Sequence, residues 1–278
     1  MTKRPVPSSC ARARVADLMI TLAKKSTAFG EITILKSLAR DSHVYCQGDW
    51  WQSEADRNGV SLAAYVHAIY ALLAQSQAQQ ILMIGCGGGT LGTMLAAAAR
   101  QVTIVDINPE SILLAQQYFS LPSHITCHVG DGQMFLECSP TLFDAIVVDA
   151  FVGDTIPQHL CSVNFFRLAR RRLPASGCLF FNVYLRHDLD CSADFIGTCM
   201  AEAGFKVRVL DTPGPFERNA IVAGGAVTKL TEPSLLVIPK ASRDELIAEL
   251  ENMQFRTGRP SWNSSPSANP IFSESQTP

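Results

Sequence analysis

From residue 80 onward, short apolar runs recur at 81–84 (ILMI), 102–105 (VTIV), 125–129 (ITCHV), 144–148 (DAIVV), 178–183 (CLFFNV), 206–210 (KVRVL) and 220–223 (AIVA). Stretches with helical spacing fill the gaps, at 91–99, 110–119, 132–138, 162–173 and 190–203. Strands alternating with helices predict a parallel sheet covered on both faces. Upstream the pattern differs. In EITILKSLARDSHVYCQGDWWQSE (31–54), short apolar groups are broken by Asp41-Ser42 and Gln47-Gly48-Asp49, which predicts a small β-rich lobe. Asn58-Gly59 is a further turn. Ser61 reads as an N-cap, and LAAYVHAIYALLA follows with helical spacing at Leu62, Tyr65, Ile69 and Leu72.

The two ends leave this pattern. The first 25 residues carry Lys3, Arg4, Arg12, Arg14, Lys24 and Lys25 against Asp17. Asp17 interrupts the only apolar stretch there, VADLMITLA, so an N-terminal helix is expected rather than a signal segment. SRDELIAELENM (242–253) predicts an amphipathic helix. The Ser-, Pro- and Asn-rich RPSWNSSPSANPIFSESQTP behind it predicts disorder. The expected division is an N-terminal extension (1–30), the β lobe with its linking helix (31–78), the α/β domain (79–226) and a C-terminal helix with tail (227–278).

Composition narrows the function classes. Of 278 residues, 47% are hydrophobic and 17% charged, which argues against bulk disorder and for a well-filled core. A net charge of -2 gives no global pull toward nucleic acid or anionic membrane, so neither is expected as a partner. No apolar run of about 18 residues predicts a membrane span. The cysteines number nine, without a CxxC, and most lie in apolar runs, as Cys127 and Cys178 do. They read as buried reduced thiols in a cytoplasmic protein. The histidines lack metal-ligand spacing, and no metal is expected.

The chemistry concentrates at strand ends. In ILMIGCGGGTLG a strand runs into Gly85, Gly87, Gly88 and Gly89 before a helix, a loop whose backbone can approach a ligand closely. Asp106 ends VTIVD, 21 residues after Gly85, where a carboxylate can accept both hydroxyls of a ribose. Asp131, within Gly130-Asp131-Gly132, ends the third strand and suits an adenine amino group. Asp149 ends the fourth strand, where open α/β sheets place their ligand crevice. Asp154 lies in the loop beyond, VVDAFVGDTIPQHL, positioned to meet a nucleophile. This rim of acids suits a nucleoside carrying a sulfonium cation better than a pyrophosphate.

These motifs, in this order and behind a β lobe, resemble the spermidine synthase (polyamine aminopropyltransferase) family. The resemblance covers about residues 31–225 and is best over 79–173. It implies a Rossmann-like class I S-adenosylmethionine-methyltransferase fold with a seven-stranded, mostly parallel sheet. It further implies that Gln52 lies near the nucleoside and Tyr65 near the amine. Asp106 would hold the ribose, Asp131 the adenine, and Asp154, with Tyr65, would position and deprotonate the attacking amine. The expected co-substrate is decarboxylated S-adenosylmethionine, the acceptor a small amine, and the assembly a homodimer. The sequence departs from the family in three places. Gly88 stands where the family's loop carries an acid; the helix motif reads Tyr65-Val66-His67 without its acid; and the strand-four motif is stretched to Asp149-Ala-Phe-Val-Gly-Asp154. A glycine-only loop also accepts intact S-adenosylmethionine, so methyl transfer is the alternative, and a non-catalytic nucleoside-binding scaffold the second.

Overall fold

The computed structural model describes residues 19–256. Two sheets build it. The first is a meander of four antiparallel strands in sequence order: β1 (Met19–Thr27), β2 (Gly30–Ser37), β3 (Ser42–Gln47) and β4 (Trp50–Asp56). The helix expected near the N-terminus is therefore corrected over 19–27. These residues pair with β2 from Met19↔Ser37 to Thr27↔Gly30, across the turn at Ala28-Phe29. Cross-strand pairing overrides a weak helical pattern in a segment with Ile20, Thr21 and Thr27. Residues 1–18 lie outside the described residues.

The second sheet follows the expected alternation. Its strands are β5 (Gln80–Ile84), β6 (Gln101–Asp106), β7 (Thr126–Val129), β8 (Ala145–Val148), β9 (Cys178–Leu185), β10 (Val207–Asp211) and β11 (Arg218–Gly225). Their order is β7-β6-β5-β8-β9-β11-β10. All pairings from β7 to β9 are parallel, and β11 runs antiparallel to both neighbours. This is the doubly covered, mostly parallel sheet that the alternation predicts, and the Rossmann-like methyltransferase fold that the resemblance implies. The two-residue β12 (Gln254–Phe255) extends the sheet beside β10, and its brevity left no pattern to read.

Helices cover both faces. One face buries α1 (Ala64–Gln75), α2 (Thr90–Ala97), part of α3 (Pro109–Tyr118) and α7 (Arg243–Glu251). The other buries α4 (Gly132–Cys138), α5 (Val163–Arg171) and α6 (Ser192–Glu202). On that second face Phe165, Phe166 and Phe181 meet edge-on, with centroids 5.4 and 5.7 Å apart. Truncating such a ring to alanine costs about 3–5 kcal/mol. Ser162 caps α5, accepting the Phe165 N–H at 3.1 Å. Ser61 does not cap α1. It is buried, bridges to Ala55 and accepts the Ala63 N–H, and the helix starts after Ala63.

The lobe docks on α3 through Ile32, Ile34, Tyr45 and Ala55 against Leu114 and Phe119. That contact sets lobe side chains over the strand ends of the large sheet. The C-terminal segment is tied down by Arg256, which bonds Asp194 of α6 and Asp211 of β10. Arg218 pairs with the same Asp211. Residues 257–278, which include the expected tail at 259–278, lie outside the described residues. Among the described residues, every cysteine is free and no helix is long and apolar enough to cross a membrane.

Candidate active site

A cavity of about 270 Å3 opens between the lobe and the carboxyl ends of β5, β6, β7 and β8. This is where the sheet order reverses and where open α/β sheets bind ligands. Its floor is the loop after β5. Gly85 has φ +97°, and a Cβ there would lie 2.3 Å from the Asp149 carbonyl oxygen, so only glycine lets the loop pass β8. That close approach brings the loop and two strand-end carboxylates together.

Asp106 anchors one end. One of its oxygens accepts the Cys86 N–H and the other the Asn108 N–H, each at 2.7 Å. Burial pushes its carboxyl above the ordinary aspartate value, and these two amides partly counter that. Both oxygens retain acceptor capacity for hydroxyls in the cavity. Asp131 caps α4 by accepting the Met134 N–H at 3.0 Å, and its other oxygen lies 2.7 Å from His159 Nε2. Both side chains line the cavity. Phe29, Tyr45, Gln47, Gln52 and Ser53 of the lobe form the roof.

Asp149 anchors the other end. The Tyr65 hydroxyl donates to one of its oxygens at 3.1 Å, and Asn182 Nδ2 to the other at 2.7 Å. Asn182 in turn accepts from Asn219 Nδ2 at 3.0 Å. Burial, followed by the neighbouring Asp149 charge, pushes the Tyr65 phenol well above its ordinary value. It stays protonated and serves as a donor. Among the described residues lining the cavity there is no Lys or Arg. Three carboxylates line this space beside His159, an electrostatic setting for a positive ligand.

Of the residues singled out in the sequence, Gln52, Tyr65, Gly85, Gly87, Asp106, Asp131, Gly132 and Asp149 line this cavity. Three do not. Asp154 faces a separate cavity, where it pairs with Arg186 and accepts from Thr155. The loop after β8 turns back on itself, with Val152 bonded to Thr155, and carries Asp154 away from the first cavity. Gly88 packs under the lobe. Its N–H donates to Ser53 Oγ at 3.0 Å, and a Cβ there would meet Ser53 and Phe119. Gly89 takes a left-handed conformation ahead of α2 and packs on Leu121 and Ala115. Trp50 sits outside the cavity, against Gly153. Asn182, Ser53, Tyr45 and His159 are the site residues that sequence reasoning missed. His159 had only its place in the loop after Asp149 to mark it. Asn182 was hidden in the apolar run CLFFNV, where a lone buried polar residue was the available signal.

The sequence family described as "Methyltransferase domain" matches residues 81–177. A polyamine aminopropyltransferase of Vibrio vulnificus is 34% identical over 120 residues, 41% of this chain and 40% of that protein. A probable polyamine aminopropyl transferase of Bifidobacterium longum is 30% identical over 132 residues, 47% of this chain and 30% of that protein. The matched stretch thus spans well under half the length of these curated relatives. In fold, a probable spermidine synthase from Corynebacterium glutamicum superposes with a TM-score of 0.70, covering 93% of this chain and 99% of that one at 19% identity.

Proposed function

We propose, for this spermidine synthase-like chain, that the cavity binds decarboxylated S-adenosylmethionine and transfers its aminopropyl group to an amine. The single observation that carries the reading is the acid-walled cavity itself. Asp106, Asp131 and Asp149 surround it, and among the described residues no Lys or Arg on its lining would receive the carboxylate of the intact methionine. The similarity to aminopropyltransferases over the same strands supports the same reading. Methyl transfer is not favoured, since it would bring an uncompensated carboxylate among acids.

In this reading Asp106 accepts the ribose hydroxyls and Asp131, with His159 beside it, faces the adenine edge. The sulfonium lies between the glycine loop and Asp149. The reaction is one displacement. The amine nitrogen bonds to the propyl carbon attached to sulfur, the carbon–sulfur bond breaks with its electron pair on sulfur, and the neutral thioether leaves. The attacking amine has a pKa of about 10 and must lose a proton. Asp149 accepts it, held by Tyr65 and Asn182 so that its oxygens face the amine. Asp149 thereby takes the role the sequence suggested for Asp154. The chain's contribution is alignment of nitrogen, carbon and sulfur, and exclusion of water by the lobe.

The experiment is an incubation of the full chain with decarboxylated or intact S-adenosylmethionine and a panel of amines, read by mass spectrometry. Aminopropylated amine and 5′-methylthioadenosine are expected with the decarboxylated donor. Methylated product and S-adenosylhomocysteine from the intact donor would overturn the reading.

A further inference from the structure

The turn between β1 and β2 carries a side chain that turn chemistry does not call for. Thr27 pairs with Gly30 across the two residues Ala28-Phe29. Turns this short favour Gly, Asn and Asp. Here the second turn residue is a phenylalanine, half-buried although Ala28 and Gly30 on either side of it are exposed. Phe29 lines the cavity beneath the lobe.

Hydrogen bonds fix this tip from two sides. The Phe29 carbonyl accepts from Gln47 Nε2 at 2.6 Å, and its N–H donates to Thr27 Oγ1 at 3.0 Å. The Thr27 hydroxyl donates to the Gly30 carbonyl at 2.7 Å and accepts from Asn108 Nδ2 at 3.2 Å. Asn108 is buried, caps α3 by accepting the Glu110 N–H, and gives its own N–H to Asp106. One chain of hydrogen bonds therefore runs from the Asp106 carboxylate through Asn108 and Thr27 to the backbone of Phe29. The ion pair of Lys25 with Glu110, at 4.0 Å, is a second tie between the hairpin and α3.

These contacts place Phe29 at the Asp106 end of the cavity. Its two supports, Gln47 and Asn108, line the same space, as does Ile107 beside Asp106. A ribose held on a carboxylate by its hydroxyls leaves its C–H edge facing the lobe. An apolar ring opposite that edge buries it and keeps water from the charged hydrogen bonds below.

We propose that the Phe29 ring is the wall that closes the ribose end of the cavity, and that the Thr27–Asn108 contact is the latch that holds it there. The lobe thereby supplies a ligand contact from its first hairpin, outside the matched residues 81–177. Because the latch ends on the residue that anchors Asp106, the wall and the ribose carboxylate are set by one network. The inference rests on the reading that this cavity holds a nucleoside.

The test measures binding of 5′-methylthioadenosine by calorimetry, and of free adenine at millimolar concentration by displacement of that ligand. The chains compared are the parent, Phe29→Ala, Phe29→Leu and Thr27→Val. Phe29→Ala should weaken 5′-methylthioadenosine about tenfold, the worth of roughly 50 Å2 of apolar surface no longer buried. Adenine, which lacks the ribose, should change by less than about twofold. Phe29→Leu keeps an apolar cover and should recover part of the loss. Thr27→Val should weaken the nucleoside about threefold on its own and add little on the Phe29→Ala background, since the latch acts through the ring it holds. Equal losses for nucleoside and adenine would mean a distorted lobe and overturn the assignment. Unchanged nucleoside affinity in Phe29→Ala overturns it too, and both outcomes leave the proposed transfer in place. Additive losses from Thr27→Val overturn the latch. Failure of the parent to bind 5′-methylthioadenosine overturns the proposed function and this inference with it.

Discussion

The two ends of the cavity are built by different means. At the nucleoside end, Asp106 and Asp131 are held mainly by backbone amides, from Cys86 at the end of the neighbouring strand, Asn108 and Met134, with the His159 ring as a side-chain partner of Asp131. At the acceptor end, Asp149 is held by side chains alone, from residues 65 and 182, with 219 behind them. Backbone anchoring follows from the fold, because any chain that makes this turn offers the same amides. Side-chain anchoring follows from particular residues on distant elements. In the proposed reading the first end is therefore general to nucleoside binding, and the second is where the reaction is decided.

The sharpest way to test that division is Asp149→Asn. It removes the proton acceptor without changing shape, so kcat for aminopropyl transfer should fall by about 10²–10⁴, the usual worth of a general base. Affinity for 5′-methylthioadenosine, measured by calorimetry, should stay within a few-fold. If both fall together, the two ends are one unit and the comparison fails.

Asp106→Asn should do the reverse. Hydrogen bonds to a charged group are worth about 1.5–3 kcal/mol each, so thioether affinity should drop roughly a hundredfold. The parent's affinity should also depend on pH. Burial raises the Asp106 carboxyl above its ordinary value, and in the proposed reading the ionised form is the one that accepts both ribose hydroxyls. Binding is therefore complete above that raised value and weakens as pH falls through it, by at most about tenfold per pH unit for one proton. Calorimetry from neutral to mildly acidic pH reads this directly. A flat profile would show that Asp106 does not touch the ligand.

What the sequence made legible tracks the same division. The seven apolar runs of the large sheet are all strands, and the glycine loop with Asp106, Asp131 and Asp149 could be placed because each sits at a strand end in chain order. The acceptor end could not be assembled in advance. Asn182 lies in a fully buried strand, and nothing in periodicity pairs it with residue 149 or 219. Asp154 was taken for the base because its loop follows strand four, but the local turn at Val152–Thr155 aims it elsewhere. Gly88 was read as the ligand-facing difference from the family's loop acid, and the missing information was the lobe, whose Ser53 occupies that side. The segment at 19–27 was misread because a strand's partner is a long-range fact, and its own residues are weakly patterned.

A smaller effect probes the relay behind Asp149. Asn182→Ala removes one donor to the carboxylate, and kcat should fall about tenfold. On the Asp149→Asn background the same change should do little, because the group it orients is already gone. That non-additivity is the signature of a positioning residue. Additive losses would instead mean that Asn182 acts through packing of β9.

The smallest predicted effect carries the most information about the loop. Asp154 pairs with Arg186, and their side chains are 26% and 53% exposed. A pair so open to water contributes about 0–1 kcal/mol, so Asp154→Asn should change kcat/KM by less than about fivefold and leave the unfolding temperature nearly unchanged. Its neighbour argues the same way, since Asp154 shares its cavity with Arg186, a cationic partner that would oppose an incoming ammonium. A loss matching that of Asp149→Asn would mean that the loop after β8 swings inward when both substrates are bound, exchanging Arg186 for the amine. In that event the base would belong to the loop, and Asp149 would act as the fixed carboxylate that orients the amine toward it.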